Sequence, residues 1–196
     1  QAEYNRIGNV FVAALIANRV RHVVAMSACG VHRADTPIPG MRDVEERLSA
    51  IDGLAIVHLR AGYFMENLFA SIAQIRAAGI CSTVIAPDMK LPMIATRDIA
   101  DVAAGLLARR DFAGSTTREL LGERDCAMNE FTQLLGRSIG KPDLAYAQAD
   151  PETAVEALVA QGFSPARAAY RIGIYTSFNA GRLAPEGPRS TANSTP

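Results

Sequence analysis

Two short apolar runs constrain this chain more than anything else in it: His22-Val-Val-Ala-Met26 and Leu54 to Leu59. Both are almost unbroken, so neither suits a strand with one wet face. A strand that is apolar on both faces belongs inside a parallel sheet with helices above and below. The flanking segments agree. From Tyr4 to Asn18, residues Ile7, Val10, Phe11, Ala14 and Leu15 follow the spacing of an amphipathic helix. Arg42 to Ile51 does the same with Val44, Leu48 and Ile51, and Asp52-Gly53 ends it. Helix and buried strand in alternation is the pattern of an α/β fold.

The rest of the chain continues in that manner. Phe64 to Ala77 reads as a helix stopped at Gly79, and Ile80 to Ile85 as a third strand. Pro92 to Ala95 reads as extended. Thr96 is the expected N-cap of a helix running to Ala108, with Asp98 in its first turn, where a negative charge suits the helix dipole. Capping and solvated faces account for Asp98 and Asp101 without a catalytic role. Glu119 to Leu121 is expected as a short strand, Asn129 to Ser138 as a helix, and Leu144 to Gln148 as extended. Asp150-Pro151 and Ser164-Pro165 each set a capping residue before a proline, which predicts helices starting near 151 and 165. Residues 185–196 hold almost nothing apolar, so a disordered tail is expected there.

In α/β sheets ligands bind beyond the C-terminal ends of the strands. Here those ends are Ser27-Ala-Cys-Gly30 and Arg60-Ala-Gly-Tyr-Phe64. Their small residues would let a ligand approach backbone N–H groups. The alternative is that Gly30 and Gly62 only make turns.

Several function classes are disfavoured. Twenty basic residues balance twenty acidic ones, which argues against direct, phosphate-driven nucleic-acid binding. The longest apolar run, Val10 to Ala17, is far short of the roughly 18–20 residues of a membrane helix. Cys29, Cys81 and Cys126 are scattered and odd in number, which suits a reducing compartment and predicts a cytoplasmic protein. His22, His32 and His58 offer no metal spacing, so no metal is expected. His58 sits in a strand pattern and reads as structural. Cys29 and His32 share a loop but lack a third orienting group, so Cys29 reads as an inert small residue. Around Ser27 the flanking positions are Ala25 and Cys29, so the nucleophile elbow G-x-S-x-G is absent.

Four stretches occur in a telling order: Val23 to Ala28; Val44-Glu45-Glu46 with Leu48; Leu59-Arg-Ala-Gly-Tyr-Phe-Met-Glu-Asn67; and Ile94-Ala-Thr-Arg-Asp-Ile-Ala-Asp101. Together with Gly122, Phe131, Leu135, Gly140-Lys-Pro142 and the last two helices, this set resembles the NmrA-like family of atypical short-chain dehydrogenase/reductases. The resemblance implies a Rossmann-like, doubly wound parallel sheet binding NADP or NAD, with NADP favoured. It implies one domain over 1–184, of which 112–183 is mainly a smaller substrate-covering lobe. It places Ser27 and Ala28 near the ribose and nicotinamide, Ala61, Gly62, Tyr63 and Phe64 along the nicotinamide pocket, and Asn67 in support of that loop. Members of the family reduce quinones, azo dyes or related molecules, and others act as redox sensors through a protein partner.

The chain departs from the family at three points. No two of its fifteen glycines are two or three residues apart, so neither G-x-G nor G-x-x-G occurs. In the family that motif and the first strands precede everything seen here. The 196 residues therefore read as about two-thirds of a larger domain, with Gln1 as a truncation boundary. The pair Y-x-x-x-K, in which Lys lowers the Tyr pKa, is also absent. Finally, many relatives carry a Lys where Met41 stands, and Met cannot hydrogen-bond a ribose hydroxyl as an ammonium does. Three readings stay open: a reductase, a non-catalytic redox sensor, and an inactive fragment.

Overall fold

The structure, a computed structural model, describes residues 2–195. Gln1 and Pro196, which close the expected ranges, lie outside it. Helix α1 (Ala2–Ala17) leads into strand β1 (His22–Ala28), then α2 (Pro39–Ser49) and β2 (Ala55–Ala61). β1 and β2 pair in parallel, His22 opposite Ala55 through Ala28 opposite Ala61. β2 also pairs in parallel with β6 (Ser115–Leu120), so β2 is the centre of the sheet β1-β2-β6. No strand pairs with the other edge of β1 among the described residues.

The period of two along β2 sets both layers. Ile56 packs with Leu48, Leu54, Val12 and Val44, under α1 and α2. Val57, Leu59 and Ala61 point the other way, towards Ile99 and Leu106 of α4 (Thr96–Arg109). Ile56 and Leu59 are at most 1% exposed. Each such side chain contributes about 1.5–3 kcal/mol on leaving water. This is the α/β architecture with a parallel sheet that the apolar runs predict.

A second cluster is drawn from two distant parts of the chain. It joins Tyr63, Leu68, Ile75, Cys81 and Met93 to Cys126, Met128 and Leu144. Short strands lace it together. β3 (Tyr63–Phe64) runs parallel to β5 (Lys90–Ile94), and β5 pairs antiparallel with β7 (Asp125–Ala127). β4 (Ile80–Thr83) pairs in parallel with β8 (Ala145–Gln148). Of residues 112–183, β6 lies in the main sheet, while β7 and β8 pair with strands from the segment after residue 63.

Local differences have local causes. The segment expected as one helix from Phe64 is a 3-10 helix, Met65–Ser71, followed by α3 (Ile72–Ala78). Thr96 is the first residue of α4 and not its cap. Its N–H and its hydroxyl both donate to Glu66 Oε1, at 2.9 and 2.7 Å. A carboxylate from another element thus serves the helix start. Between β7 and β8 lies α5 (Met128–Ser138). α6 (Pro151–Ala160) and α7 (Pro165–Asn179) begin where the sequence predicts, with Asp150 accepting from Thr153 N–H and Ser164 from Arg167 N–H. Residues 185–195, expected as a disordered tail, lie along β6. The Glu119 carboxylate accepts from the N–H groups of Glu186 and Gly187, Leu121 N–H donates to Asn193 O, and Arg189 reaches Gly122 O and Asp125. Backbone and charge, not apolar burial, hold this segment.

Candidate functional site

A cavity of about 320 Å³ opens at the C-terminal ends of β1 and β2. All eight residues singled out in the sequence line it: Ser27, Ala28, Met41, Ala61, Gly62, Tyr63, Phe64 and Asn67. β1 delivers the first two, α2 brings Met41, and the β2–β3 turn and the 3-10 helix bring the rest. The remaining wall comes largely from α7. Arg171, Ile174, Tyr175 and Phe178 follow the spacing i, i+3, i+4, i+7, which puts them on one helix face. Sequence reasoning placed the last helices over the site but named none of these residues. Their helical stripe was legible; which element it faced was not. Asn179 fixes that face by accepting from Ala86 N–H and donating to Val84 O.

The glycines at the strand ends make room for protein. A Cβ on Gly62 would stand 2.0 Å from the carbonyl oxygen of Pro92. Gly30 has φ +77°, and its Cβ would stand 2.4 Å from Arg182 O. Crossing backbone alone requires a glycine at both.

Tyr63 is 3% exposed, with its ring edge-on to Phe178 at 5.4 Å and tilted against Tyr175 at 6.3 Å. Burial, with neighbouring Tyr175, pushes its phenol well above the usual range, so it stays protonated. The Cys29 thiol donates to Arg60 O at 3.4 Å. Burial and the nearby Glu119 charge push it up to about 12, so it is no nucleophile near neutrality.

Beneath the cavity floor, Arg60 grips Glu45 with two hydrogen bonds, Nε to Oε1 at 3.1 Å and Nη2 to Oε2 at 2.8 Å. Burial alone would raise the Glu45 carboxyl, but the guanidinium outweighs it and the net shift is downward. Arg60 also binds Glu186 at 2.8 Å. The buried Ser27 hydroxyl lies beside the Glu45 carboxylate and also helps to hold its pKa down. His58 Nε2 meets Ser49 Oγ at 2.9 Å, which superficially matches a base and its nucleophile. Its Nδ1 has no orienting partner, and burial holds the imidazole below its usual pKa. The pair is structural, as the strand pattern of His58 suggests. Among the described residues no cluster of three His, Cys, Asp or Glu side chains is arranged to hold a metal, and no helix is long and apolar enough to cross a membrane.

Fold and cavity position define an α/β protein with a parallel, Rossmann-type sheet and a cavity at its strand ends. Solved structures with the same fold include the Citrobacter triphenylmethane reductase complexed with NADP(H), at TM-score 0.75 and 17% identity, covering 94% of this chain and 63% of that one. An NADPH-dependent quinone oxidoreductase from Escherichia coli matches at TM-score 0.73 and 21% identity, covering 88% and 62%. The negative transcriptional regulator NmrA in complex with NADP matches at TM-score 0.59 and 18% identity, covering 74% and 48%. The resemblance to NmrA-like proteins therefore extends to the fold, and the chain spans at most about three-fifths of the length of these neighbours. No family model and no curated protein matches the chain.

Proposed function

We propose that the cavity at the ends of β1 and β2 receives the nicotinamide end of NADP(H) or NAD(H), NADP(H) by preference, and that the protein reduces a small acceptor such as a quinone or azo compound. The observation that carries this is the convergence of all eight expected residues on one apolar cavity at the position where such sheets bind ligands. Two neighbours of the same fold, a quinone oxidoreductase and a triphenylmethane reductase complexed with NADP(H), support it.

The residues present fit one end of the dinucleotide. A flat ring suits the apolar walls. They do not fit the diphosphate. There is no glycine-rich turn in the sequence, and among the described residues Arg171 is the only charged one lining the cavity. A bound reduced nicotinamide supplies a hydride. Tyr63 Oη keeps its proton and is a weak acid. An acceptor whose reduced form takes its proton from water, as a quinone does, fits a site with so poor a proton donor.

Met41 favours a second reading. It lines the cavity where a cation would hold the ribose, which suits a dinucleotide-responsive regulator acting through a protein partner.

Titration with reduced nicotinamide mononucleotide and with NADPH, followed by nicotinamide fluorescence, tests the site. Both should saturate weakly, with Kd of about 0.1–1 mM, because only the nicotinamide end is held. Ala28→Leu, which narrows the cavity, should abolish the signal. No saturable signal, or the same signal in Ala28→Leu, overturns the reading. NADPH consumption with quinone or azo acceptors separates reductase from regulator.

A further inference from the structure

A second cavity, of about 300 Å³, adjoins the first and shares Tyr63, Asn67, Arg171 and Tyr175 with it. We infer that it is a binding subsite for an anionic aromatic molecule, an aryl carboxylate or aryl sulfonate, whose charge is held by Arg171. Among the described residues, Arg171 is the only charged one lining either cavity. Its guanidinium lies 5.7 Å from the ring centre of Phe163 and 5.9 Å from that of Tyr175. These rings hold the guanidinium in place but leave its edge unused. Among the described residues it forms no ion pair, and no carboxylate lines the space in front of it.

A half-buried cation without a counter-charge is unusual, since Arg in such a place is normally paired. An anion entering the cavity would complete it with a charge-assisted, two-pronged contact. The rest of the lining selects a flat apolar body. Ile172, Leu158 and Ala154 form aliphatic walls, Tyr63 and Tyr175 aromatic ones, and Gln74 and Gln161 add amides. The volume suits one bicyclic ring. The subsite stands on this chain alone. Only the further step, that its guest is the hydride acceptor, rests on the function proposed above; the shared Tyr63 wall puts the guest's ring beside the nicotinamide cavity.

The test uses 2-naphthoate and its neutral amide, 2-naphthamide, measured by isothermal titration calorimetry without nucleotide. Naphthoate should bind at least about ten-fold tighter than naphthamide, and the difference should shrink with salt. Arg171→Gln should remove that preference and leave naphthamide binding unchanged. Ala154→Phe, which fills the cavity from α6, should abolish both. If Arg171→Gln does not fold, the acid–amide ratio in the unaltered protein and its salt dependence decide alone. Equal affinities, no binding of naphthoate, unchanged binding in Ala154→Phe, or inorganic phosphate binding as tightly as naphthoate each overturn the inference. Since no nucleotide is present, failure here leaves the nicotinamide site untouched. Success here with no nicotinamide signal would remove the acceptor role and keep the subsite.

Discussion

Ile56, His58 and Arg60 share the α2 side of β2 because side chains alternate along a strand. That places two polar groups under a helix, and α2 answers with Ser49 and Glu45 one above the other. The two responses differ with pH. His58 is held below its usual pKa of about 6.5 by burial, so the unfolded chain takes up its proton first. Its contribution to stability is complete above about pH 6.5 and is lost as pH falls below that. Glu45 is also shifted down, so its contribution is lost only at more acid pH, below the ordinary carboxylate range. Thermal melts between pH 7 and 5 should therefore show falling stability, by up to about 1.4 kcal/mol per pH unit. His58→Gln should flatten that slope; an unchanged slope would put the responsible proton elsewhere. Glu45→Gln, which strands Arg60 against a buried face, should cost about 2–3 kcal/mol in urea unfolding, less than a fully buried pair because Glu186 remains.

At the scale of elements, the turn from β2 into β3 must pass under β5. Gly62 N–H donates to Leu120 O at 2.9 Å while the Pro92 carbonyl lies against its Cα. Gly62→Ala should therefore cost more than about 3 kcal/mol or prevent folding. Gly53, with φ +72° and open space around it, is the control. Gly53→Ala should cost only the backbone strain, about 1 kcal/mol. Equal losses in chemical denaturation would show that the Pro92 contact does not matter. The start of α4 makes a related point. Glu66 accepts from Thr96 N–H and hydroxyl, so the 3-10 helix that carries Asn67 into the site is tied to a helix of the main sheet.

For the molecule as a whole, the surface of α1 and β1 brings several exposed apolar side chains together with an open strand edge. Val10, Phe11 and Ile16 are 55–60% exposed, Met26 is 51% exposed, and the outer edge of β1 is unpaired among the described residues. An apolar face beside an open strand edge invites association. Sedimentation velocity should show mass rising with concentration, and Phe11→Lys with Ile16→Lys should shift it towards the monomer. No concentration dependence in the unaltered chain would show that this surface is not sticky.

Much of this was legible in residues 20–61. Runs apolar on both faces require cover on both sides, and the structure supplies α1 and α2 on one side and α4 on the other. The place of the cavity was legible too, because ligands in such sheets lie beyond the strand ends; Met41 and Asn67 came from the family resemblance alone, and all eight residues line that cavity. The second cluster was not. β4 pairs with β8 more than sixty residues away, and β6 returns to the main sheet. Short strands of four to six residues carry too little pattern to declare their partners. The glycines gave their positions but not their reason, since only the crossing of Pro92 and Arg182 shows what a Cβ would strike. Arg171 is one of many arginines in the sequence. Its lack of a carboxylate and its place between two cavities exist only once α7 is docked. Periodicity is a local property that the sequence determined by itself. Which surfaces meet, and which charge is left facing an empty space, depends on packing between distant segments, and that only the tertiary structure decided.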